Sequence, residues 1–300
     1  MSVNKSNVEL WLITIYRKSR IHNFVNLIKK NGYFILTNNF KLYFNKDNNK
    51  DVKNIFAFST LYNVEFSDKS GYWHYNDNIV TTPGNIKFNI KNFEPLIFSE
   101  TFLSDIHFSD FDLNNKIVIQ AGGFIGDTAL YYASRGAKIY SFEPDINSYN
   151  LALENIKLNP ELSKNIVMKN YALGDDGEID FPLEINGSGG SSAYRLENKK
   201  TIKVKSVSIN TILNEFNIEN PFLLDIDIKG KEFEIINDKD ISKFKMVRIE
   251  YTTRIDDKII GNRDNIIKKL NEYGFNKIRI FKHNESLFDL NEHGTIEAVK

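Results

Sequence analysis

The sequence predicts an α/β fold: a mostly parallel, Rossmann-like sheet covered by helices on both faces, preceded by an N-terminal α+β extension. Three observations predict it. Apolar runs alternate with helical patterns from about residue 95 onward, a glycine-rich turn joins one such strand to one such helix, and residues 1–94 lack the alternation. The boundary is placed near Asn92–Pro95, so that 1–94 form the extension and 95–300 the main domain.

In the extension, Leu10, Ile13, Tyr16, Phe24 and Ile28 recur at near-helical spacing between Asn7 and Lys30, and Gly32 supplies a stop. Short β-like runs follow, "FKLYF" and "NIVTTPGNIKFNI", the second turning at Pro83-Gly84. In the main domain "KIVIQ" reads as a buried strand, "GDTALYYASRG" as a helix stopped by Gly136, and "AKIYSFE" as the next strand. The helix "NSYNLALENIKLN", the strands "NIVMKNYAL" and "PFLLDID", a short helix at "KEFEIIND" and the strand "KMVRIEY" continue the pattern. A helix from Asp264 to Tyr273, the strand "KIRIFKH" and a last strand "TIEAVK" complete it. Continuous apolar strands between helices imply burial on both faces.

Charge is balanced, with 39 basic and 39 acidic residues, so no global field marks a nucleic-acid partner, and none is expected. The distribution is uneven. About ten Lys/Arg face about three Asp/Glu through Lys53, whereas Glu143 to Glu184 is net acidic by about six. A basic N-terminal region suits an anionic ligand or a membrane surface. The chain has no cysteine, which excludes disulfides, thiolate metal sites and a cysteine nucleophile. "VELWLITIY" is too short to span a bilayer and no cleavage site follows it, so a cytoplasmic protein without a transmembrane segment is expected.

Gly122, Gly123 and Gly126 fall outside the carboxyl end of the first core strand, where an open α/β sheet binds its ligand. Glu143 follows about twenty residues later at the end of the next strand, the spacing of a carboxylate that accepts from ribose hydroxyls. A nicotinamide dinucleotide and S-adenosylmethionine compete for this geometry. A pyrophosphate on the helix N-terminus would meet Asp127, whereas a ligand carrying a sulfonium and an ammonium has no phosphate to repel.

The ordered segments "VIQAGGFIGDTALYYASRG", "IYSFEPDINSYNLALENIKLN", "NYALGDDGEIDF", "GSGGSSAY", "VKSVSINTILNE" and "LLDIDIKGKEFEII" resemble the FkbM-type S-adenosylmethionine-dependent methyltransferases. The resemblance implies a class I methyltransferase fold with a seven-stranded sheet whose last strand is antiparallel. It also implies cofactor contacts at Gln120, Ala121, Gly122, Gly123, Phe124, Gly126, Thr128 and Pro144, ribose contacts at Glu143, and adenine contacts at Ala172 and Leu173. The family is associated with O-methylation of sugars and other hydroxylated small molecules, so a glycan or small-molecule acceptor is implied. The extension would shape its pocket, and the basic bias suggests an anionic or lipid-linked acceptor.

Three departures stand out. Gln120 replaces the family's usual Asp and can still accept from the cofactor's ammonium, without charge assistance; an Asp there would bind more tightly. Phe124 stands where a polar residue is common. The family's Lys-Ile-Asp-Val-Glu-Gly reads Asp225-Ile226-Asp227-Ile228-Lys229-Gly230. Asp227 and Glu250 are the expected catalytic carboxylates, with Tyr251 directed to the same sheet edge, and Lys229 could lower an acceptor hydroxyl's pKa or bind an anionic group. No metal is assigned. Asp225 and Asp227 share a sheet face, but their depths differ by about 7 Å, and His74 and His107 read as packed or surface residues. The segment 186–194 could act as a lid or be a plain connector. "NPF" at Asn220 precedes its strand, against an amino-group methyltransferase signature. Two alternatives stay open: an RNA methyltransferase, and a catalytically silent cofactor-binding module.

Overall fold

The computed structural model describes residues 12, 16–18, 20–67, 71–106, 110–182, 200–255, 258–282 and 290–300. The chain divides into two compact units, Met1–His107 and Phe108–Lys300.

The first unit is α+β and extends past the expected boundary near residue 94. The physical reason is an aromatic cluster: Phe98 and Phe102 pack on Phe88 at 4.7 and 5.6 Å between ring centroids, and Phe98 packs on Phe93 at 4.6 Å. That packing draws α3 (Pro95–Phe98) and the π-helical turn Ser99–Leu103 into the same core. Ahead of them, β1 (Gly32–Thr37) and β2 (Phe40–Phe44) form an antiparallel hairpin. Helix α2 (Asn49–Leu61), which the apparent irregularity of this region concealed, stacks Phe56 on Phe34 at 4.2 Å. Strands β3 (His74–Asn76), β4 (Ile79–Thr81) and β5 (Lys87–Asn89) form a meander, turning at Pro83-Gly84 as expected. The helix expected from Asn7 to Lys30 is described only in part, as α1 (Ile21–Leu27); its buried residues are Asn23 and Asn26, and Ile28 is exposed.

The second unit is Rossmann-like. Its strands are β6 (Ile117–Ala121), β7 (Lys138–Phe142), β8 (Ile166–Lys169), β12 (Leu223–Ile226), β13 (Met246–Thr252), β16 (Lys277–Phe281) and β17 (His293–Val299). They form a seven-stranded sheet in the order β16-β17-β13-β12-β6-β7-β8. Neighbouring strands from β8 to β13 pair in parallel, and β17 runs antiparallel to both β13 and β16. The order reverses at β6, which is the switch point of this sheet. The run "NIVMKNYAL" is not one strand. β8 ends at Lys169, and β9 (Ala172–Leu173) joins a small sheet with β10 (Gly177–Pro182) and β11 (Thr201–Val207).

Period two along these strands separates two faces. One carries Ile119, Tyr140, Leu224, Val247 and Ile296, the centre of the apolar core. On the other, cross-strand register aligns Ser141, Gln120, Asp225, Arg248, Glu297 and Arg279 in one polar row. Helix α4 (Asp127–Ser134) lies on this side, since its Tyr132 hydroxyl donates to Asp225 Oδ2 at 2.8 Å.

Candidate cofactor and acceptor site

Two residues beyond the polar row, on the same face, come Glu143, Gly122, Asp227 and Glu250, at the carboxyl ends of β7, β6, β12 and β13. The turn between β6 and α4 is shaped by backbone need. Gly122 has φ +89, and a Cβ there would overlap the carbonyl oxygen of Asp227. A Cβ at Gly123 would overlap the Ser141 hydroxyl and approach Met168 Cε to 2.6 Å. Gly126, at φ +78, is the residue that enters α4. Between them Phe124 adopts φ +41, an uncommon conformation for a bulky residue, and so aims its N–H at Glu143.

Glu143 is the anchor of the site. Its Oε2 accepts from Phe124 N–H and its Oε1 from Asp145 N–H, both at 2.8 Å. Burial raises its pKa from 4.5 to about 7, against the lowering effect of those two N–H groups, with Asp145 and Asp227 adding to the rise. Asn170 Nδ2 donates to the carbonyls of Glu143 and Pro144 at 2.8 and 2.9 Å, tying the chain after β8 to the end of β7. Ala172 and Leu173 follow two residues on, both buried, with Leu173 in the apolar core. At the start of α4 the Asp127 side chain is buried, and Thr128 Oγ1 donates to it at 3.3 Å.

Gln120 and Ala121 lie at the end of β6, on opposite faces of the sheet. Gln120 is buried in the polar row, where its Oε1 accepts from Ser141 Oγ at 2.8 Å. That bond takes one of the two lone pairs of the amide oxygen. Ala121 belongs to the opposite, apolar face, and its carbonyl accepts from Asp227 N–H at 2.9 Å.

Among the expected catalytic residues, Asp227 and Glu250 are half-buried at neighbouring strand ends and Lys229 is exposed beyond β12. Tyr251 does not share Glu250's face. It is fully buried in the apolar core, with its hydroxyl donating to the Leu290 carbonyl. Asp225 is likewise unsuited to a hard cation, because Arg248 Nη1 holds Oδ1 at 2.8 Å and Tyr132 holds Oδ2. Both members of this ion pair are fully buried; burial is the largest single influence on Arg248 and opposes its charge, but Asp225 together with Tyr132, Asp227 and Glu250 raises the guanidinium's pKa on balance. No group of three or more His, Asp or Glu placed to hold a metal ion occurs among the described residues. His74 sits half-buried in β3 of the first unit, while His107 and residues 186–194 lie outside the described residues.

Sequence reasoning missed a second cluster beside Glu250. His293 starts β17 opposite Thr252. Its Nε2 lies 3.8 Å from Glu250 Oε1, and its Nδ1 lies 3.1 Å from both the Tyr251 carbonyl and Thr252 Oγ1. Below them Glu232, fully buried, accepts from Thr252 N–H at 2.9 Å and Gly230 N–H at 2.6 Å, and burial raises its pKa from 4.5 to about 8. Only the arginine inside "MVRIEY" carried a visible signal, a charge within an apolar strand; His293 reaches Glu250 through antiparallel register across about forty residues.

Several solved structures are similar to the chain. The N-terminal domain of human METTL16 in complex with SAH is 10% identical, over 95% of this chain and 93% of that one, with a TM-score of 0.43. Aeropyrum pernix fibrillarin with bound S-adenosyl-L-methionine is 12% identical, over 68% and 74%, at 0.38. Magnesium protoporphyrin IX methyltransferase from Synechocystis PCC 6803 is 13% identical, over 68% and 77%, at 0.38. No curated protein sequence is a significant match. The model of the methyltransferase FkbM domain matches residues 120–277, just over half of the 300-residue chain. That range includes the glycine turn, Glu143, Asp227 and Glu250, and on this match the chain belongs to the FkbM methyltransferase family.

Proposed function

We propose that the chain is an S-adenosylmethionine-dependent O-methyltransferase acting on a sugar or another hydroxylated small molecule. The observation that carries the cofactor reading is Glu143, buried and braced by two backbone N–H groups beside a turn whose glycines let the chain pack tightly against Asp227 and Ser141 at the strand ends. Each of its oxygens keeps a lone pair for a ribose hydroxyl. Asp127, buried in the first turn of α4, disfavours the pyrophosphate of a dinucleotide there. When bound, S-adenosylmethionine supplies an electrophilic methyl group on a sulfonium.

The chain's own part is positioning and proton handling. Asp227, one strand from Gly122, contacts the cofactor or the acceptor. His293 takes the acceptor's proton: Nδ1–H donating to the Tyr251 carbonyl leaves Nε2 as the base, and Glu250 stabilises the imidazolium that forms. An alcohol needs such a base, which favours oxygen as the methylated atom. Lys229, exposed beside Asp227, suits an anionic group on the acceptor.

The test is incubation of the full chain with S-adenosylmethionine and a panel of free, phosphorylated and lipid-linked saccharides, read by mass spectrometry for one added methyl group and by NMR for its position. Binding of S-adenosylhomocysteine with transfer to a nitrogen acceptor only would overturn the oxygen assignment. Absence of S-adenosylhomocysteine binding would overturn the cofactor.

A further inference from the structure

Helix α1 (Ile21–Leu27) presents its residues in reverse of the usual order. Its buried positions are Asn23 and Asn26. Asn23 clamps the helix to β1, donating to the Ile35 carbonyl at 2.8 Å and accepting from Ile35 N–H at 2.7 Å, and Asn26 Nδ2 donates to the His22 carbonyl at 2.9 Å. The apolar side chains Ile21, Val25 and Ile28 recur at i, i+4 and i+7, on the face turned away from that clamp, and are 84%, 37% and 75% exposed. Tyr16, just upstream, is 87% exposed, and Tyr43 on β2 is 61% exposed.

The charge around this stripe has one sign. Between Glu9 and Asp47 the sequence has seven Lys/Arg and no Asp or Glu. Among the described residues Arg17 and Arg20 hydrogen-bond to neutral acceptors, the carbonyls of Thr60 and Leu61 and Asn38 Oδ1. Lys29 and Lys30 continue the basic flank directly after Ile28, both exposed.

We propose that α1 and its basic flanks are a docking surface for an anionic lipid bilayer. Exposed isoleucines opposite a polar clamp supply the side that enters the acyl boundary, and lysines and arginines at its edges meet lipid phosphates. Exposed tyrosines suit the headgroup level. Attachment is peripheral, for no described helix is long and apolar enough to cross a membrane. The inference rests on the first unit alone and does not depend on the methyltransferase reading. It would bring a lipid-linked acceptor to the enzyme by confining both to one surface.

Co-sedimentation of the full chain with vesicles tests it, comparing pure phosphatidylcholine with a mixture in which about a third of the lipid is phosphatidylglycerol. Binding is expected to the anionic vesicles only, and to weaken steeply with added salt. Ile21→Ser with Ile28→Ser should lower the vesicle partition at least about tenfold, and Lys29→Gln with Lys30→Gln about fivefold per lysine. All four side chains are exposed, so melting temperature should not move. Equal partition into both vesicles, or none into either, would overturn the proposal. So would an isoleucine pair whose loss abolishes self-association by light scattering, or RNA retention, while vesicle binding stays unchanged. S-adenosylhomocysteine calorimetry on the same samples reads the enzymatic proposal separately.

Discussion

Glu143 should make cofactor affinity depend on pH. Its carboxyl is buried and its pKa stands at about 7 instead of 4.5, so near neutrality it is divided between its two forms. Ribose hydroxyls donate to the ionised form, and a ligand that requires this form binds in proportion to its population. Below the pKa that population falls about tenfold for each pH unit, or about 1.4 kcal/mol of binding free energy. Affinity for S-adenosylhomocysteine is therefore expected to rise about tenfold from pH 5 to 6 and about fivefold from pH 6 to 7, before levelling above about pH 8. Proton release on binding should be largest at the acid end. Calorimetry in pairs of buffers with different ionisation enthalpies measures both quantities. The amino and carboxyl groups of the ligand titrate outside this window. A His293→Asn variant should keep the profile, because the imidazole lies toward β17. A flat affinity from pH 5.5 to 8.5 with no proton exchange would refute the assignment of Glu143 as the ribose acid.

The same raised pKa has a consequence for folding. Between pH 4.5 and about 7 the native chain holds a proton at Glu143 that the unfolded chain has lost, so this group's contribution to stability falls as pH rises through that window, by about 3 kcal/mol in all; Glu232 acts in the same sense up to about pH 8, and urea titrations should show it. Gly122→Ala, which would force a Cβ onto the Asp227 carbonyl at φ +89, should abolish S-adenosylhomocysteine binding and destabilise the chain by about 2 kcal/mol or more, as read by calorimetry and urea unfolding. Arg248→Met leaves Asp225 buried with only Tyr132, and should destabilise by about 3–5 kcal/mol; adding Asp225→Asn should recover much of that, and no recovery would mean the pair is not the reason. His293→Asn and Glu250→Gln should each lower kcat by about 10²–10⁴-fold with S-adenosylhomocysteine affinity unchanged. Gln120→Asp is expected to lower the melting temperature without tightening the cofactor, because the new carboxylate would stand in register with Asp225 and give up the fit to Ser141.

Much of the second unit was legible because its signals are local. Short apolar runs of four to seven residues, rich in β-branched and aromatic side chains and lying between helical patterns, read as buried strands, and β6, β7, β12 and β13 all read this way. Asp145, capping the helix Ile146–Lys157 through Ser148 N–H at 2.9 Å, is the same kind of local signal. The first unit resisted for the opposite reason. Its core is a set of aromatic rings gathered from short, dissimilar segments, and no periodicity marks Phe98 and Phe102 as partners of Phe88. In α1 periodicity misled: the apolar stripe is real, but two asparagines with backbone partners on β1 took the inner face.

By itself the sequence determined the family, the alternation of strands and helices, and the glycine turn with Glu143 at its side, because each depends on residues adjacent or nearly adjacent in the chain. Only the tertiary structure decided where Gln120, Tyr251 and His293 stand. A strand's side chains alternate between faces, so the role of each residue depends on which strand lies beside it and in what register. Gln120 was thereby given to Ser141 and Tyr251 to the apolar core, while His293, some forty residues from Glu250 in sequence, was brought to its side.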